Sequence, residues 1–320
     1  MNARRVRLEN SGFRQDMAGW LKKQLLAGIG GLAALSPSVF AAETLFGFTL
    51  GVDTLPKGQS ELAFDVTRLH GERLSPFRAI TFSGHYERGV TDNTSVTIGL
   101  GGFTVNHDED TFGMTPGVNA GSTPIIPAFS EERLSRFSLG SQRRILSPYT
   151  DYFGFAVRAD FAFDWFENEL TDSRTKQYSL RPSLLFQKNF LDDTFNIGAA
   201  ISANFRYGCQ KGAAPIAEVC QDEIEFRPSI AAAYRFAPKW NIGVESFYRK
   251  RFTGQSDSPG SFYIGPSLHY GDKRWYATAT LFRQVAGSAA YVEPTSIQFF
   301  SNDTRLENET EFRLRVGVNL

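Results

Sequence analysis

Between Phe195 and Lys250 apolar and polar residues alternate with a period of two, which constrains this chain more than anything else in it. Phe195, Ile197, Ala199, Ile201, Ala203 and Phe205 share one parity, against Asn196, Gly198, Ala200, Ser202, Asn204 and Arg206. Ile224, Phe226, Pro228, Ile230, Ala232 and Tyr234 repeat the pattern against Glu225, Arg227, Ser229, Ala231, Ala233 and Arg235, and Trp240, Ile242 and Val244 start a third run. Such alternation predicts extended strands with one apolar and one polar face. The runs are about twice the roughly five or six residues of a soluble strand. They suit a tilted strand crossing a bilayer, which needs about nine to eleven residues. The polar parity carries too much charge for a sandwich core. The predicted fold is all-β: a transmembrane, antiparallel, up-and-down β-barrel.

The remaining sequence supplies the other strands. Twelve segments are predicted, at about 59–70, 78–89, 93–106, 133–146, 151–165, 176–189, 194–207, 223–236, 240–251, 260–271, 275–284 and 308–320. Short and long connections alternate between them, as expected for short periplasmic turns and long extracellular loops with both barrel termini periplasmic. Aromatic residues at predicted strand ends, among them Trp165, Tyr178, Tyr207, Tyr234, Trp240, Tyr248, Tyr270 and Trp275, fit interfacial girdles. The last strand alternates from Phe312 to Val318 but closes on Leu320, not on the usual terminal aromatic.

Upstream of the barrel, Lys22 and Lys23 precede an apolar run from Leu25 to Leu35, followed by small residues up to Ala41. This predicts a signal peptide over 1–41, with Met17 as an alternative start. Formal charge over the whole chain is zero, but residues 1–41 hold six basic and two acidic side chains, so 42–320 carries 28 basic and 32 acidic. No basic excess points to nucleic acid. Residues 42–58 form a periplasmic N-terminal segment whose Leu45-Phe46-Gly47-Phe48 would be costly to leave in water; it is expected to plug the lumen or to add a strand. Cys209 and Cys220 fall in one predicted loop, where an oxidising compartment would close a disulfide.

Gly89 to Leu100 (Gly-Val-Thr-Asp-Asn-Thr-Ser-Val-Thr-Ile-Gly-Leu) resembles the turn-and-strand of many proteobacterial outer-membrane barrels. Leu55-Pro56-Lys57-Gly58 before an alternating strand is similar to a family of outer-membrane transporters linked in some members to phenol meta-pathway degradation. The resemblance covers the N-terminal third. It implies a Gram-negative outer-membrane barrel passing a small hydrophobic or aromatic solute, and it carries over no catalytic residue. Expected partners are outer-membrane lipid and lipopolysaccharide, the outer-membrane assembly machinery and the small-molecule solute.

If the apolar parity faces lipid, the other parity lines the lumen with Glu61, Asp65, His85, Glu87, Arg136, Arg158, Asp160, Arg181, Arg206, Glu225, Arg227, Arg235, Glu245, Arg249, His269, Glu311, Arg313 and Arg315. Charges at membrane depth require a wet or mutually paired interior. Two readings follow: rows of arginine steering solutes through a pore, or arginine–carboxylate pairs bracing the wall. The long connections 107–132 and 285–307 carry apolar stretches that suggest gating or contact with a partner, the latter fitting a structural or adhesive barrel. A hydrolase is the lesser alternative. The four histidines, His70, His85, His107 and His269, lie near no nucleophile-elbow motif, and His107-Asp108-Glu109-Asp110 lacks the ligand spacing of a calcium loop. No enzymatic activity, metal or cofactor is expected.

Overall fold

The computed structural model of the chain describes residues 45–70, 77–107, 110–111, 125–126, 129–168, 173–211, 219–253, 260–288 and 308–320. The expected leader and its cleavage after Ala41 lie outside these residues, as do most of the long connections. Fourteen strands are described: β1 (Ser60–His70), β2 (Phe77–Thr91), β3 (Thr94–His107), β4 (Asp110–Thr111), β5 (Ile125–Ile126), β6 (Phe129–Leu146), β7 (Gly154–Asn168), β8 (Ser173–Phe190), β9 (Phe195–Lys211), β10 (Val219–Ala237), β11 (Trp240–Thr253), β12 (Gly260–Gly271), β13 (Trp275–Ser288) and β14 (Thr310–Asn319). β4 and β5 pair only with each other, inside the connection 107–132. The other twelve form a closed antiparallel barrel, sealed by β1 against β14.

Alternation decides which side chains face in. Leu62, Phe64 and Val66 of β1 turn outward, and Phe64 is 52% exposed; Glu61 and Ala63, on the other parity, are buried. Ile230 (55%), Ile242 (53%) and Leu281 (51%) continue the outer apolar surface on β10, β11 and β13. A soluble protein would hide these side chains, and a closed barrel can leave them out only where the surroundings are themselves apolar. Closure leaves none of these twelve strands at a sheet edge. Trp165, Tyr178, Tyr207, Tyr234, Trp240 and Trp275 are exposed, in line with the girdle expectation.

One end of the barrel has short turns and is here called the turn end. Its connection at 191–194 places Leu191, Asp192 and Asp193 at φ of 54°, 51° and 62°, a left-handed run steadied by Asn189 donating to the Asp193 carboxylate at 2.9 Å. Lys239 and Asp272 join two neighbouring turns at 2.9 Å; this exposed hydrogen bond holds the Asp272 carboxyl below its ordinary range and raises the Lys239 ammonium.

Two boundary expectations are corrected at the opposite end. The strands run further than predicted, so β9 reaches Lys211 and β10 begins at Val219. Cys209 and Cys220 therefore sit on strands, in direct register, and their disulfide staples β9 to β10 instead of closing a loop. Polar residues such as Gln210, Gln221 and Asp222 read as loop by composition, but cross-strand pairing holds them extended.

Candidate functional site

The buried apolar clusters of the described residues share one property: each contains side chains from 45–52. Leu50 and Val52 pack with Ala156, Leu185 and Ala200 of β7, β8 and β9. Phe46 and Leu45 pack on Ala231 and Ala233 of β10. Phe48 packs on Phe247, Tyr263 and Phe282 of β11, β12 and β13, stacking on the Phe247 ring at 4.1 Å. Among the described residues the segment pairs with no strand. It enters beside the turn end, where the Leu55 amide donates to Ser95 Oγ at 3.0 Å and the Lys57 amide to Asp92 at 3.0 Å, and it then crosses the barrel interior.

Polar contacts hold its backbone along that course. Gln142 donates from Nε2 to the Gly51 carbonyl at 3.1 Å and the Asp53 carbonyl at 2.8 Å. Glu245 of β11 accepts three successive amides, from Gly47 at 2.8 Å, Phe48 at 2.9 Å and Thr49 at 3.0 Å, and also the Thr280 hydroxyl at 2.8 Å. An irregular backbone inside a barrel has no ladder to satisfy its N–H groups, and this carboxylate supplies the missing acceptors. Close approach demands glycine here: a Cβ at Gly47 would lie 2.3 Å from Thr280 Oγ1, and one at Gly198 would lie 2.6 Å from the Phe46 ring. Above Phe48, the guanidinium of Arg313 lies 4.2 Å from the ring centroid and that of Arg227 lies 5.5 Å away.

Beside the segment lies a cavity of about 370 Å³. Leu50, Gly51 and Asp53 form part of its wall. Twelve of the residues predicted to line the lumen also line this cavity: Glu61, Asp65, His85, Glu87, Arg136, Arg158, Asp160, Arg181, Arg206, Arg227, Arg313 and Arg315. Glu225, Glu245, Arg249 and His269 point inward but are buried in contacts of their own. Arg235 is exposed near the turn end, next to a bulge between Arg235 and Ala237, and is not among the residues that line this cavity.

Most inward charges are matched. Asp160 binds Arg158 at 2.7 Å and Arg181 at 3.2 Å. Asp65 accepts from Arg315 at 2.6 Å and lies 3.3 Å from His85. Arg136 forks onto Asp164 at 2.6 and 3.0 Å. Glu225 gathers Arg206, Arg227 and Arg251, and Glu311 gathers Arg249 and Arg313. Ser83, His85 and Asp65 are the residue types of a hydrolase triad, but Ser83 Oγ (2.9 Å) and Asp65 both approach the Nε2 atom of His85, whereas a proton relay uses opposite ring nitrogens. His269 is buried against Thr278 at 2.8 Å. Among the described residues no group of three or more metal-ligating side chains converges.

Sequence reasoning missed the residues that seat the segment: Gln142, Gln187, Ser95, Thr280 and the rings of Phe247, Tyr263 and Phe282. The rings carried a readable signal. Each lies on the inward parity of its strand, so three neighbouring strands put an aromatic where the pattern calls for a polar residue.

A family of unknown function, DUF6662, matches residues 38–320. The chain belongs to that family. Among curated proteins none matches the sequence. Solved structures with a similar fold include the COG4313 outer membrane channel from Pseudomonas putida F1, at 9% identity, covering 84% of this chain and 98% of that one with a TM-score of 0.54. The translocator domain of autotransporter NalP from Neisseria meningitidis is similar at 10% identity, over 96% of this chain and 97% of that one, with a TM-score of 0.47. At such identity the first likeness shows the fold, a closed barrel of the outer-membrane kind, as the strand order already requires.

Proposed function

We propose that the chain is a Gram-negative outer-membrane barrel that passes small polar solutes passively, and that residues 45–56 plug its lumen. In this reading residues 1–41 direct export, both barrel termini face the periplasm, and the outer surface meets lipid and lipopolysaccharide. The observation that carries the proposal is the pairing of a charged cavity with a segment seated on Glu245 beside it. A preformed concave site lined by several polar groups is the usual form of a solute path. Its charged wall supports a polar solute more than the hydrophobic or aromatic one implied by the family resemblance, and the apolar surface of Phe247, Tyr263 and Phe282 is already covered by Phe48.

Planar-bilayer recording tests this. The mature chain, 42–320, is expected to give small or infrequent steps, and a chain lacking 45–54 larger and longer ones. A heat-modifiable barrel that lacks the segment and still conducts nothing would overturn the proposal. One observation favours a second reading, a structural barrel acting through its external connections: the shared carboxylates Glu225 and Glu311 tie β9, β10, β11 and β14 together as a brace would. Silence of both proteins would favour that reading.

A further inference from the structure

The outer surface changes character around the rim opposite the turn end. On β7, β8 and β9 an outward row near this rim is aromatic: Phe163 lies opposite Tyr178, and Tyr178 opposite Tyr207. On the other side of the ring, across the seam where β14 meets β1, the rows near the rim carry arginine instead. Arg283 of β13 faces Thr310 of β14, Thr310 faces His70 of β1, and His70 faces Arg78 of β2. One row closer to the turn end, Leu281, Phe312, Arg68 and Ile80 follow in the same strand order. The row after that, Ala279, Leu314, Val66 and Phe82, is wholly apolar. Arg68, Arg78 and Arg283 share the parity of Phe64, Ile80 and Leu281 and are exposed, so all three lie on the outer face. Among the described residues none of the three pairs with a carboxylate, whereas inward arginines such as Arg158 and Arg315 do.

Bare guanidinium groups are out of place on a face that meets lipid. Arg68 and Arg78 are diagonal neighbours across β1 and β2, roughly 7–8 Å apart at the backbone, and two cations so placed repel. Arg283 stands two strand spacings, about 10 Å, from β1. An arginine stem can lie along apolar surface while its head reaches the interface, where an anion satisfies it. Phosphate matches the guanidinium fork. We infer that this seam patch binds the phosphorylated headgroup of lipid A, the glycolipid anchor of lipopolysaccharide, with its acyl chains on the apolar rows beneath. Three neighbouring arginines without carboxylates can satisfy more than one phosphate, and lipid A carries two on one sugar headgroup. A phosphatidylethanolamine offers a single phosphate that its own ammonium already balances. The inference rests on the outward orientation of this rim proposed above and names the strands and side chains that hold the lipid.

Binding is measured by thermophoresis on the mature chain, 42–320, in detergent micelles. The probes are bisphosphorylated lipid A, the same lipid with both phosphates removed, and phosphatidylglycerol. Bisphosphorylated lipid A should bind at least tenfold more tightly than either of the others. The triple variant Arg68→Gln, Arg78→Gln, Arg283→Gln should lose at least tenfold of that affinity, and Lys176→Gln, exposed on the outer face of β8, less than twofold. Heat-modifiability confirms that the variants are folded; if the triple variant is not, Arg68→Gln alone is measured, with at least a threefold loss expected. Equal affinity for lipid A with and without its phosphates would overturn the site. So would equal affinity for phosphatidylglycerol, which would show a general attraction to anionic lipid only, and so would unchanged affinity in the folded variant. Orientation is read separately, with an epitope inserted in the connection 254–259 that antibody should reach on intact cells. If antibody reaches it only after the outer membrane is ruptured, the outward orientation falls and the lipid A assignment falls with it. If antibody reaches it and the lipid fails to bind as expected, the patch alone falls.

Discussion

Replacing Glu245 by glutamine should unseat the N-terminal segment while leaving the barrel closed. In the parent, Oε1 accepts from the Gly47 amide and the Thr280 hydroxyl, and Oε2 from the amides of Phe48 and Thr49. Glutamine keeps one oxygen but turns an NH₂ group toward one of those donor pairs. With the NH₂ group on the Oε2 side two amide hydrogen bonds are lost; on the Oε1 side the Gly47 bond is lost and the Thr280 hydroxyl must turn to accept. A hydrogen bond to a charged group is worth about 1.5–3 kcal/mol net, and a stranded buried donor costs about 1–3 kcal/mol. Allowing for non-additivity, about 3 kcal/mol of docking free energy is removed. At about 1.4 kcal/mol per factor of ten, the undocked population rises about a hundredfold. The strand ladders on either side of β11 do not run through this carboxylate, so the folded fraction in a gel-shift assay should be unchanged. Bilayer recordings should show open events about two orders of magnitude more frequent. An event frequency within threefold of the parent, from protein confirmed as folded, would refute the idea that this carboxylate holds the segment in place.

Three other outcomes can be checked more simply. Gly198→Leu puts side-chain atoms where the Phe46 ring now lies and should mimic the Glu245→Gln phenotype in the same recordings, since a Cβ alone would come within 2.6 Å of that ring. Ile230→Arg on the outer face should impair assembly by roughly 2–4 kcal/mol if the residue lies near the bilayer midplane, whereas Ser179→Arg on the cavity wall should assemble normally; equal heat-modifiability of the two would undo the inside–outside assignment. Replacing Cys209 and Cys220 together by serine should destabilise the β9–β10 end by about 2–3 kcal/mol, seen as a lower unfolding temperature, with no change in conductance.

How far the sequence foretells this molecule depends on the range of the interaction. The run from Phe195 to Val244 is legible because period-two alternation is local: each residue's face follows from its neighbours in the chain. The inward placement of Asp65, Arg158 or Arg315 follows from the same parity. Their partners do not, because Asp160 meets Arg181 only once the register of β7 on β8 is set, and a slip of one residue would turn one of the two to the other face. The course of residues 45–56 was illegible for a related reason. Nothing in Leu45-Phe46-Gly47-Phe48 says that its acceptor is Glu245 rather than another strand's edge. The extension of β9 and β10 past Tyr207 and Asp222 was masked by polar composition, which describes solvent exposure better than it describes backbone pairing.

The segment precedes every barrel strand in the chain, and the seats of its first half, Phe46 to Thr49, lie on late ones, β10 to β13. The amides of Gly47, Phe48 and Thr49 lie 196 to 198 positions from the carboxylate that receives them. Contacts at such separation form late, because a long loop must close before they return any free energy. Residues 45–49 must therefore wait, apolar side chains uncovered, until β10 to β13 have arrived. Since the segment leads directly into β1, and β1 is the strand that seals against β14, the lumen is filled from the seam as the ring closes. Sequence changes in 45–56 should thus alter how fast the barrel matures as much as how stable it finally is.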